Sequence, residues 1–332
     1  MVNMKQITPE YSVIIRTTGK AEEKYAELLD SINNLEPVPK EIIVVLPEGY
    51  DPPKETLGRE KIYFCKKGMV SQRICGIEKC STRYALITDD DIAFGPDFVR
   101  KLSEPVISGE YGFSAGPLLD FLPQKGCRAL VSALMGGAVP TLFHKDRYNS
   151  VLKTTGFSYN RKIEVGTGKR YETQTAPWTC FFADLKAFEA IHFEDEIWLD
   201  AHGYAAFDDE TMFYKGWLCG FKSVIVADAS YRHLNAKTSA KGNAEAVRYC
   251  SGYNTVVFGQ RFLCEQCYNE GGRLWCSVCI NYRLLMQRLY NNIDCLRKRT
   301  AHEEKRAFVR GIKDAKKWIR TEEYMRLPQI RC

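Results

Sequence analysis

Short apolar runs alternate with stretches of helical spacing over the first third of the chain. The run 12–16 (SVIIR) reads as a buried strand, and Ala21, Tyr25, Leu28, Leu29 and Ile32 then recur on one helical face. A β-branched run over 41–46 is closed by Pro47 and Gly49. The run 61–64 (KIYF) is a third strand, followed by a helix carrying Val70, Ile74 and Ile77. A fourth strand, 84–88, leads into Asp89, Asp90 and Asp91, after which Pro96 opens a helix with Phe98, Val99 and Leu102 inward. This β-α-β-α order predicts an α/β fold, an open and mainly parallel sheet flanked by helices. Ligands of such sheets bind outside the carboxyl ends of the strands, where Thr17, Thr18, Glu48 and the three aspartates fall.

Beyond residue 120 the pattern loosens. A small-residue helix is expected over 125–139, and 144–175 shows no clear period, which suits a loop region closing over a substrate. Order returns with a strand over 178–182, a helix over 184–191, and a helix opened by Asp208, Asp209 and Glu210. That last helix has Met212, Trp217 and Leu218 inward and Gly220 past its end. A strand over 222–227 precedes His233. From about 245 the chain reads as helices to its end. Phe258, Phe262 and Leu263, then Leu274, Val278, Tyr282, Leu285 and Leu289, fit the apolar faces of two of them. Phe308, Ile312, Ala315 and Ile319 form the inner stripe of a third.

Composition adds limits. With 45% hydrophobic and 27% charged residues among 332, the chain is globular, neither disordered nor collagen-like. Its net charge of +6 is too weak to imply nucleic acid, and no nucleic-acid partner is expected. The charge is unevenly placed: 297–332 hold 12 Lys/Arg against 5 Asp/Glu, so the rest of the chain is near neutral. A basic tail of this kind is either a solvated helix face or a handle for an anionic membrane surface. The longest apolar stretch, 274–290, is broken by Arg283 and Arg288, so no spanning segment is expected. Thirteen cysteines, an odd count, and an N-terminus lacking an apolar leader core point to mostly reduced thiols in a cytoplasmic protein. Cys264, Cys267, Cys276 and Cys279 have zinc-knuckle spacing, yet they share faces with the apolar residues of two helices. Packed thiols are therefore expected there rather than zinc.

Two acidic clusters carry the candidate chemistry. Three consecutive carboxylates at the end of a buried strand repel one another, and a divalent cation with hard oxygen ligands relieves this. Mn²⁺ or Mg²⁺ suits such a site, the metal keeping diphosphate oxygens in its other positions. His233, directly after a strand, is a candidate third ligand beside the triplet. The second cluster opens a helix, where acids suit both capping and general-base chemistry. The two roles are compatible if Asp208 caps while Asp209 points into the cleft. Trp178 suits either a sugar face or the core.

The order of these elements resembles the glycosyltransferases of the GT-A fold, family 2 in particular, over residues 11–235. The run 11–17 (YSVIIRT) looks like that family's opening strand and 41–45 (EIIVV) like its second. The segment 68–76, with Arg73, is similar to the helix before the metal motif, and 86–91 (LITDDD) to the Asp-x-Asp strand. Asp208-Asp209, followed eleven residues later by Gly220-Phe221-Lys222, matches the spacing of the family's acidic pair and its sequel. Two departures stand out: Leu46-Pro47-Glu48 replaces an Asp pair that contacts the base, and Asp-Asp replaces Glu-Asp. The resemblance implies a metal-dependent, inverting transfer of a sugar from a nucleoside-diphosphate donor, a uridine diphosphate sugar, to a glycan or lipid-linked acceptor in polysaccharide assembly. Asp209 would be the base, with Asp208 and Glu210 beside it. Asp89, Asp91 and His233 would hold the metal. Thr17, Thr18, Glu48, Arg73, Asp89, Asp90 and Trp178 would face the nucleotide sugar. The implied division is a GT-A-like catalytic domain over 1–240, with a donor half to about 120 and an acceptor half after it. A helical extension over 241–332 follows, basic from 297, which could bring the protein to the inner face of the cell membrane. The alternatives are a sugar-phosphate nucleotidyltransferase, which would need a Gly-rich basic loop after the first strand, and a zinc-knuckle binding module built on the four cysteines.

Overall fold

The computed structural model describes residues 10–117, 127–137, 147–160, 163–234 and 243–330. The ends of the helix expected over 125–139, and parts of the 144–175 loop region, lie outside them. Four parallel strands begin the sheet: β1 (Tyr11–Arg16), β2 (Glu41–Pro47), β3 (Glu60–Cys65) and β4 (Tyr84–Asp89). β1 and β2 are buried along their whole length, which explains why they read as unbroken apolar runs. The covering helices are α1 (Glu23–Asn33), α2 (Met69–Glu78) and α3 (Phe98–Ile107). The faces expected for α1 and α3 are indeed the buried ones.

After the acidic triplet, β5 (Ile92–Phe94) leaves the main sheet. The second half contributes β6 (Phe113–Ala115), a β7 (Asn149–Val151) and β8 (Ser158–Asn160) pair, β9 (Arg170–Thr173), β10 (Cys180–Asp184) and β11 (Ser223–Val226). The eight-stranded order is β3-β2-β1-β4-β10-β6-β11-β9. β10 runs antiparallel to both β4 and β6, and β9 antiparallel to β11, so the sheet is mixed while remaining mostly parallel. β12 (Tyr231–His233) pairs with β5 and draws His233 back towards the triplet.

Close packing of α2 on β1 depends on Gly76. A Cβ there would lie 2.4 Å from the Ile14 Cγ2 methyl, itself held in the core. Gly76→Val is therefore expected to lower unfolding free energy by about 1–3 kcal/mol. Urea denaturation checks this; an unchanged midpoint would mean that α2 can slide without loss.

The remaining helices are α4 (Cys127–Met135), α5 (Leu185–Ile191), α6 (Asp208–Leu218), α7 (Ala244–Phe258), α8 (Glu270–Leu296), α9 (His302–Trp318) and α10 (Glu322–Met325). α9 lies tightly along α7, burying Phe308, Ile312 and Ala315 as expected, with Ile319 half-buried. α8 reverses its expectation. Leu274, Val278, Tyr282, Leu285 and Leu289 face outward, and the buried face carries Cys276, Ile280, Arg283 and Leu284. The polar members of that inner face have partners: Arg283 donates to the Thr155 carbonyl and the Cys276 thiol to that of Thr154. Among the described residues no helix is long and apolar enough to cross a membrane.

Candidate active site

Parallel register places Arg16 beside Asp89 at the carboxyl ends of β1 and β4. Arg16 Nε donates to Asp89 Oδ1 at 3.0 Å, and Arg73 Nη2 donates to the same oxygen at 2.7 Å. Arg73 is 1% exposed and lies over the Trp178 ring, 4.4 Å from its centroid. Burial pulls its pKa down, against the pull of Asp89. Its Nη1 also lies 3.8 Å from Asp208 Oδ2, so one guanidinium bridges both acidic clusters. Arg73 is thus buried beneath the carboxylates, and Trp178, expected either at a sugar face or in the core, is a buried residue whose ring stacks on Arg73.

The other triplet members diverge. Asp90 Oδ2 accepts from the Thr17 hydroxyl at 2.6 Å, while Thr17 Oγ1 accepts from the Gly19 amide. Burial, only partly offset by that hydrogen bond and by Arg16, pushes the Asp90 pKa up to about 6. The Thr18 hydroxyl is buried beside them and has no hydrogen-bond partner. Asp91 Oδ1 lies 3.2 Å from His233 Nε2, a meeting produced by the β5–β12 pairing. Glu48 stands exposed at the end of β2. Among the described residues no cluster of three or more His, Cys, Asp or Glu side chains is arranged to hold a metal. Both arginines meet Asp89 through the same oxygen, Oδ1.

The second cluster forms the first turn of α6. Phe207 precedes it with φ of +71°, a left-handed conformation that a bulky residue adopts only under constraint from its surroundings. Asp208 does not cap the helix: Phe207 holds that position without a side-chain hydrogen bond, and Asp208 turns back to accept from the Asp209 amide while facing Arg73. Burial raises all three carboxyl pKa values. Asp208 is pushed to about 7, with the charge of Asp209 adding to burial; Asp209 is also pushed to about 7, with Glu210 adding. Glu210 is raised by burial against the opposing Arg283 and the Ser158 hydroxyl that donates to it.

Three residues at the site are not marked by the sequence pattern. Arg16 was part of the opening strand, and only the register shows that it reaches Asp89. Ser158 lies in the loop region without period. Arg283 interrupts an apolar stretch, and a charge on an otherwise apolar helix face was the available signal. It is buried over the rings of Phe157 and Phe207. The four paired cysteines lie at the junction of α7 and α8, where Cys264 and Cys276 are buried. Ten described cysteines are free thiols.

No family model matches the sequence, and no curated protein matches it. Solved structures do. The crystal structure of GalNAc-T7 with UDP, GalNAc and Mn²⁺ superposes with a TM-score of 0.51 at 11% identity, covering 87% of this chain and 58% of that one. The chain thus spans less than two thirds of that neighbour's length. The crystal structure of residues 1–349 of S. aureus TarS gives a TM-score of 0.50 at 14% identity, covering 92% and 80%. The chain has the GT-A glycosyltransferase fold.

Proposed function

We propose that the protein is a glycosyltransferase that moves a sugar from a nucleoside-diphosphate donor, a uridine diphosphate sugar, to a glycan or lipid-linked acceptor with inversion. The observation that carries this reading is Arg73 bridging Asp89 at the end of β4 and Asp208 at the start of α6. Arg73 thereby ties the strand end that carries the acidic triplet to the helix turn that carries the candidate base, in a fold shared with a protein crystallised with UDP and Mn²⁺. Residues 1–240 form the catalytic domain in this reading, and the sequence pattern supports family 2.

Thr17, Thr18, Asp90 and Glu48 line the donor side, with Asp90 positioned by the Thr17 hydroxyl. Asp91 and His233 suit Mn²⁺ or Mg²⁺, an oxygen and an imidazole ligand that leave room for diphosphate oxygens. When bound, the metal supplies positive charge against the departing nucleoside diphosphate. Asp89 holds Arg16 and Arg73 in place. Asp209 takes the proton of the acceptor hydroxyl as it attacks the anomeric carbon, and burial supplies the basicity.

A thermal-shift and hydrolysis screen over nucleotide sugars, without metal and with Mn²⁺ or Mg²⁺, tests the reading. A donor present at 100 times its Kd stabilises the fold by about 2.7 kcal/mol. Asp91→Ala is expected to remove the metal-dependent part of that shift and to slow transfer by about 10²-fold or more. If no nucleotide sugar shifts the melting temperature with either metal, the proposal fails.

A further inference from the structure

We propose that the outward face of α8, with α4 beside it, docks the protein onto an anionic lipid bilayer. α8 has 27 residues, a length of about 40 Å. Leu274, Val278, Leu285, Leu289, Ile293 and Leu296 lie along one side of it at spacings of three, four or seven, each between 45% and 85% exposed. Trp275 and Tyr282 lie within the same arc, exposed as well, and the arc contains no charged side chain. α4 extends the surface with Leu130, Val131 and Leu134, each more than half exposed. The Tyr282 hydroxyl donates to the Leu134 carbonyl at 2.9 Å and joins the two helices. Monomeric proteins in water rarely leave so continuous an apolar face uncovered.

The border of this face identifies its occupant. Lys316 Nζ donates to Asn281 Oδ1 on the edge of the stripe, with Arg288 and Arg320 around it. No described carboxylate pairs with any of the three. Burial and these two guanidinium groups lower the Lys316 pKa, as expected of cations gathered without a counter-ion. A second copy of the chain would bring a second basic cluster to the contact. An anionic bilayer brings both an apolar interior for the leucines and negative headgroups for the cations. Trp275 and Tyr282 suit the headgroup level. With no spanning helix among the described residues, α8 would lie in the plane of the interface. Its opposite face carries Arg283 towards Glu210, so docking would bring the acceptor side of the proposed cleft close to lipid.

Docking and sugar transfer are separable. The full chain is sedimented with vesicles of phosphatidylcholine alone and of phosphatidylcholine with phosphatidylglycerol. Binding is expected to the anionic vesicles only and to weaken with salt. L285D/L289D, at exposed positions that leave the circular dichroism unchanged, should reduce it by at least about 10²-fold, and Arg320→Glu by about fivefold. Two results would overturn the proposal: wild-type protein that ignores anionic vesicles, or L285D/L289D that binds them as well as wild type. A wild-type dimer that L285D/L289D converts to monomer, without lipid binding, would overturn it in favour of a second copy. Donor hydrolysis in detergent-free solution should be unaffected by L285D/L289D. Its absence in the wild type would count against the transfer reading and leave docking untouched.

Discussion

Asp209→Asn is expected to lower kcat for sugar transfer by about 10²–10⁴-fold while changing donor affinity by no more than about twofold. The substitution keeps the size of the side chain and its hydrogen bond to the Glu210 amide, so the first turn of α6 stays in place. What it removes is the proton acceptor. The pH profile gives the sharper check. Burial, then the charge of Glu210, pushes the Asp209 pKa up to about 7. A base must be unprotonated to act, so kcat/KM for the wild type should fall about tenfold per pH unit below that value and level off above it. Glu210→Gln removes the neighbouring charge and should move the inflection to lower pH. In Asp209→Asn the residual rate should lose this inflection altogether. An Asn variant as fast as wild type would leave Glu210 as the competing base. The same shifts have a consequence for stability. Carboxyls whose folded pKa is raised keep protons that the unfolded chain releases, so they favour folding at low pH. That contribution fades as pH rises from about 4 towards about 7. The pH that activates Asp209 is thus one at which the α6 turn is under electrostatic strain.

How far the sequence revealed the site depended on the range of the contacts involved. β1, β2 and β4 are buried on both faces, so composition alone marks them, and their parallel order follows from the helices between them. The acidic triplet and the acidic turn of α6 were visible for the same reason, as polar groups at the ends of apolar elements. Strands of three residues such as β5 and β12 are too short to show a period of two, and their pairing is what brings His233 to Asp91. Roles within the triplet were hidden as well. Whether Asp89 faces a cation or two arginines depends on the register with β1 and on the depth of α2, neither of which is written in local spacing. α8 shows the opposite failure. Its apolar period was plain and its direction was not, because periodicity identifies a face without saying what the face meets. The polar residues on the buried side carried that information, since Arg283 and Cys276 can be buried only where backbone carbonyls await them.

Glu196→Ala is expected to lower stability by about 3–5 kcal/mol, a drop in Tm of roughly 6–15 °C for a domain of this size. Glu196, in the helical turn Phe193–Asp200, has no exposed surface. Its carboxylate takes two hydrogen bonds of 2.8 Å from Arg261, one of 2.7 Å from the Trp198 indole and an ion pair of 2.8 Å from Lys215. Lys215 belongs to α6, and Arg261 to the π-helical turn Gly259–Cys264 between α7 and α8. One carboxylate therefore ties α6 to the C-terminal helices. Burial alone would raise its pKa. Arg261 and Lys215 outweigh burial and hold it below the usual carboxylate range. The stability it contributes is present at neutral pH and lost as pH falls through that lowered value, opposite in sign to the α6 acids. Most of the expected loss comes from the cations left without a partner. Glu196→Leu combined with Arg261→Met should therefore be less damaging than Glu196→Ala alone, since it removes a buried charge along with its counter-charge. Urea unfolding of the wild type and the two variants measures this directly. If the double variant proves the least stable, the network acts through directional hydrogen bonds rather than through charge balance.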